Sequence, residues 1–103
     1  MTTTATGRYA GLRLTQPLGR ITATIRQIAD EETALDALSH EALLDVLLVL
    51  QRRLWAVSPG HVEHISHAIG ALDVAPGSRH YIDAEIVVSA CSTFATITPD
   101  IEP

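Results

Sequence analysis

A single cysteine, Cys91, stands in 103 residues, so no internal disulfide framework holds this chain together. That scarcity fits a reducing compartment. Aromatic residues are equally sparse: Tyr9, Trp55, Tyr81 and Phe94 are the whole inventory, too few for a platform on which bases stack. No run of about 18 apolar residues is present, because Asp45 and the Arg52–Arg53 pair interrupt the best candidate for a membrane span. The N-terminus shows no basic stretch followed by an apolar segment and a cleavage site, so the expected setting is cytoplasmic. Glycine-rich phosphate loops and dinucleotide fingerprints are missing as well. Lysine is absent altogether. The seven basic residues are all arginine, a pattern that GC-rich codon usage produces without any mechanism.

What is present is apolar surface. Apolar residues make up 47% of the chain and charged residues 18%, which places it among folded proteins rather than disordered ones. The length allows one domain over residues 1–103 with one modest core, and segments 1–7 and 99–103 read as loose tails. The net charge of −5 is unevenly spread. Arg8, Arg13, Arg20 and Arg26 precede any acid, whereas Asp30, Glu31, Glu32, Asp36, Glu41 and Asp45 come after them with no Lys or Arg between. Pairing of the two segments, within a chain or across a dimer, is the plain reading of that polarity.

The stretch Ala42–Val57 carries the most information. At 100° per residue, Leu43, Val46, Leu47, Leu50, Leu54 and Val57 form one apolar stripe. Leu44, Leu48 and Trp55 form a second, and only a wedge holding Glu41, Asp45 and Arg52 is polar. Such a helix, expected from about His40 to Val57, must be surrounded by its own domain or by another copy of itself. An earlier helix opens near Pro17 and presents Leu18, Ile21, Ile25 and Ile28, candidate cover for the second stripe. The acidic run at 30–32 predicts a break, with Thr33 or Ser39 as candidate caps for the next helix. A third helix begins at Ser58-Pro59 and carries Val62, Ile65, Ile69 and Leu72.

At both ends the pattern changes to alternation. Ala10, Leu12 and Leu14 predict a short strand over Arg8–Thr15. Ile82, Ala84, Ile86 and Val88 alternate with Tyr81, Asp83, Glu85 and Val87, which predicts a strand over 80–90, either longer or followed by a second strand to Thr98. The expected fold is therefore α+β and mostly helical: three helices flanked by N- and C-terminal strands (β-α-α-α-β), completed by homo-oligomerisation.

Chemistry is harder to find. His61, His64 and His67 succeed one another at three-residue intervals with Glu63 among them. Imidazoles are common zinc ligands, so His61, His64 and Glu63 form the candidate site for a divalent metal. The three rings fan over about 120° of helix, however, and the spacing of zinc proteases or ferritin-like sites is not there. The plain reading is a His-rich solvated face. Arg26, Arg52 and Arg53 could enclose an anionic substrate in a small helical enzyme, as in chorismate mutases, but that family's motif pattern is absent. Helices two and three could imitate a helix-turn-helix, yet His61–Leu72 holds no Arg, Lys, Asn or Gln and the chain is acidic, which disfavours nucleic acid. The segment VVSACSTFA resembles the nucleophile turn of ketosynthases and thiolases over a handful of residues, which would imply a reactive Cys91. Those enzymes need a chain several times longer, and a lone Cys among small and apolar residues reads as a buried side chain.

The function expected from these residues is a non-catalytic interaction or assembly subunit whose partner is itself or another protein, with no membrane and no cofactor. Its interface residues would be Leu44, Leu48 and Trp55, with Leu18, Ile21, Ile25 and Ile28 as cover. A metal-binding protein or a small helical enzyme is the competing class.

Overall fold

Capping chemistry starts the helix that organises the molecule. In a computed structural model, which describes residues 14–75 and 82–97, Ser39 Oγ accepts a hydrogen bond from the Ala42 N–H at 3.1 Å. This satisfies one of the donors that a helix start leaves without an intrahelical partner. The helix it opens, α3 (His40–Leu54), holds Glu41 in its first turn and Arg52 and Arg53 in its last, the arrangement the helix dipole favours. Before it come α1 (Leu18–Asp30) and the single turn α2 (Thr33–Asp36). After it come α4 (Pro59–Val74) and α5 (Ala84–Ile97). The expected break after Asp30 is present, and Thr33 is the first residue of α2 rather than a cap. Pro59 takes the first helical position of α4, with Ser58 just before it.

Among the described residues there is no strand or sheet, and helices make up 79% of them. The expected α+β fold is thus corrected to a helical one. Of the first predicted strand, residues 8–13 lie outside the described residues, and Leu14 and Thr15 are not extended in a ladder. The strand predicted over 80–90, and its continuation toward Thr98, is α5 from Ala84 to Ile97. Residues 80, 81 and 98 lie outside the described residues.

The physical reason is that this segment satisfies two periods at once. Read in steps of two, Ile82, Ala84, Ile86 and Val88 alternate with Tyr81, Asp83, Glu85 and Val87. Read in helical steps, Val87, Ala90, Cys91 and Phe94 fall at i, i+3, i+4 and i+7, and these four are the buried ones. Asp83 starts the turn: its Oδ1 accepts the Glu85 N–H at 3.0 Å and its carbonyl accepts from Ile86 and Val87. Thr93 and Thr96 hydroxyls donate back to the carbonyls of Ser89 and Ser92, which accommodates these β-branched residues inside a helix. Burial of a helical stripe outweighs a propensity difference of well under about 1 kcal/mol per residue.

The third covering helix also changes the surroundings of α3. Helices α1, α4 and α5 all pack against it, and α1 packs in turn on α5. Leu43, Val46, Leu47, Leu50 and Leu54 are buried, and so are Leu48 and Val49 on the other flanks. Of the polar wedge, Glu41 and Arg52 stay exposed and Asp45 is covered. Asp45, only 1% exposed, accepts the Thr15 N–H at 2.8 Å, the Thr15 hydroxyl at 2.6 Å and the Gln16 amide at 3.1 Å. The segment leading into α1 is thereby fastened to α3 through a carboxylate both of whose oxygens accept hydrogen bonds. Most of the apolar excess of α3 is absorbed inside one chain.

Candidate functional site

The residues singled out from sequence divide sharply by burial. Ile21, Ile25 and Ile28 lie in the core on α1, and Leu18 at its start is partly exposed. On α3, Leu48 is 3% exposed and Leu44 is half-buried, whereas Trp55 is 72% exposed. The predicted second stripe therefore runs from the core out into solvent. Helix α3 ends at Leu54, earlier than the expected Val57, and the Val57 and Ser58 N–H groups share the Leu54 carbonyl at 3.1 and 2.9 Å. Residues before proline avoid the helical region, and Ser58 precedes Pro59. Trp55, Ala56 and Val57 consequently form the turn between α3 and α4, all three exposed, with exposed Arg52 one turn earlier. This turn is the candidate site of contact: it carries the chain's sole Trp at its tip.

The histidines of α4 are spread out. His61 is half-buried and hydrogen-bonded through both ring nitrogens, to Ser58 and to Ser89. Glu63 is exposed, His64 is half-buried, and His67 is exposed. His64 Nε2 and, on α3, His40 Nδ1 are buried without a hydrogen-bond partner among the described residues. No three His, Cys, Asp or Glu side chains are grouped to hold an ion among the described residues. The proposed ligand set His61, Glu63 and His64 is therefore not brought together. Of the arginines, Arg52 is exposed while Arg26 and Arg53 are half-buried.

Cys91 lies in the core on α5. Burial pushes its thiol up from the ordinary 9.0 to about 12, because a thiolate there would lose its hydration. Two consequences are testable together. At pH 8 an aromatic disulfide reagent should react with Cys91 only on unfolding. The unfolded thiol, with its ordinary value near 9.0, loses its proton before the folded one at about 12 does. The stability that burial protects is thus fully present below pH 9 and declines as pH rises toward 12. Cys91→Ala should remove that part of the alkaline slope in a pH series of urea melts. Rapid native-state labelling at pH 8 would show the thiol to be accessible.

No helix among the described residues is long and apolar enough to cross a membrane. Comparison with known proteins brings no relative to this fold: no protein family, no curated protein and no solved structure matches the chain.

Proposed function

We propose that this chain is a non-catalytic interaction or assembly subunit of the cytoplasm, and that it self-associates through the α3–α4 turn. The observation that carries the reading is Trp55, 72% exposed at the tip of that turn beside Val57, which is 56% exposed. An indole buries on the order of 150–250 Å² when covered. Trp and Arg are the residue types most enriched at the energetic centres of protein contacts, and Arg52 stands one turn away from Trp55. The interface is narrower than a whole stripe of α3, since Leu48 and the α1 isoleucines already serve the chain's own core.

Because Trp55 is the sole Trp, its fluorescence reports directly on the proposed contact. Emission should move to shorter wavelength, and quenching by iodide should weaken, as concentration rises through the micromolar range. Emission that stays at the wavelength of a solvated indole across that range would argue against self-association.

A further inference from the structure

Side chains from two parts of the chain converge on His61. Its Nδ1 lies 2.6 Å from Ser58 Oγ and its Nε2 lies 3.1 Å from Ser89 Oγ. Ser58 immediately precedes α4, His61 is the third residue of that helix, and Ser89 projects from α5. A neutral imidazole offers one N–H and one lone pair. Both partners are hydroxyls, so the contacts admit either tautomer; in the one with the proton on Nδ1, His61 donates to Ser58 and its Nε2 accepts the Ser89 hydroxyl proton. The two ends differ in exposure. The Ser58 hydrogen bond is partly buried, whereas Ser89 and its hydrogen bond are open to solvent. A half-buried hydroxyl holds one end of the ring, and an exposed hydroxyl stands where a reagent can reach it. Nucleophile, base and orienting group in hydrogen-bonded sequence is the arrangement that activates a serine.

We propose that Ser89 is an acyl-acceptor nucleophile, with His61 as its general base and Ser58 as a positioning residue, and that it takes small activated acyl esters or thioesters. In the step, Ser89 Oγ forms a bond to the acyl carbon as its proton passes to His61 Nε2. The tetrahedral intermediate then collapses, the bond to the leaving alkoxide or thiolate breaks, and the leaving group takes the proton from Nε2. The product is an ester on Ser89, one acyl group per chain, with the free alcohol or thiol released. Phosphoryl transfer would need a cationic clamp on the transferring group, which these three side chains do not supply. The inference goes beyond the interaction reading and does not depend on it.

The test is acetylation of the full chain by p-nitrophenyl acetate, with peptide mapping of the product. The absence of lysine leaves few competing amines. Ser92, exposed on α5 three residues further on, is the internal control. Acetate should appear on Ser89 well ahead of Ser92, with a normal solvent deuterium isotope effect on the rate. His61→Gln should slow the Ser89 reaction about 100-fold, at the low end of what a general base contributes, and Ser58→Ala should slow it less. Equal labelling of Ser89 and Ser92 in the folded wild-type chain would overturn the proposal. So would a folded His61→Gln variant acetylated at the wild-type rate. The Ser89-to-Ser92 comparison needs no variant, so it decides the matter even where a substitution prevents folding.

Discussion

Phe94→Ala should lower the unfolding free energy by about 3–5 kcal/mol. Phe94 is 0% exposed and heads the large side chains that are wholly enclosed. It lies on α5 with Val87, Ala90 and Cys91, and α5 meets α1, α3 and α4. Removing the ring forfeits its transfer free energy and leaves a void that small neighbours such as Ala90 cannot fill. A domain of this size has only about 5–15 kcal/mol in total, so a urea titration should show an early midpoint or no folded baseline at all. Thr96→Ala, at an exposed position of the same helix, should change stability by less than about 0.5 kcal/mol. The pair also tests the corrected fold, because an alternating strand would place residues 94 and 96 on the same face. Similar losses at both positions would favour the strand.

Leu48→Asn and Trp55→Ser should part company, although both residues belong to one stripe of the helical wheel. Leu48 is 3% exposed. Replacing it forfeits about 2–5 kcal/mol of packing and adds an amide with no partner provided in the core, at about 1–3 kcal/mol more. The expected result is a chain that is largely unfolded or insoluble. Trp55 is 72% exposed, so Trp55→Ser should leave the unfolding free energy of the dissociated chain within about 0.5 kcal/mol of wild type. Its effect should fall on association instead. Comparable destabilisation by both substitutions would mean that Trp55 is packed within its own chain.

The helical interior is legible in the sequence wherever a single period governs the pattern. Ile21, Ile25 and Ile28 on α1, and Val62, Ile65, Ile69 and Leu72 on α4, are all buried as their spacing predicts. Ser39 and Pro59 stand at the starts of α3 and α4 because their side chains suit those positions best. At α5 the β-branched residues fit two periods, and propensity points to the wrong one. The discriminating signal is Asp83 as a helix cap, with Val87, Ala90, Cys91 and Phe94 behind it. That one misassignment also inflates the case for a broad self-associating face, since a chain with only two helices to cover α3 leaves it short of cover. Asp45 looks like part of a solvated wedge, and nothing in its neighbourhood in sequence announces Thr15 and Gln16 as partners thirty and twenty-nine residues away. The meeting of His61 with Ser89 is equally hidden, being a product of α5 lying against α4.

Sedimentation equilibrium over the micromolar range, with wild type and Trp55→Ser run side by side, bears most directly on the proposed role. Wild-type chain should show a concentration-dependent mass above that of the 11.1 kDa protomer. Trp55→Ser should sediment as a protomer with an unchanged helical circular dichroism spectrum. A wild-type chain that remains a monomer throughout, or a Trp55→Ser variant that assembles as wild type does, would contradict self-association through the α3–α4 turn.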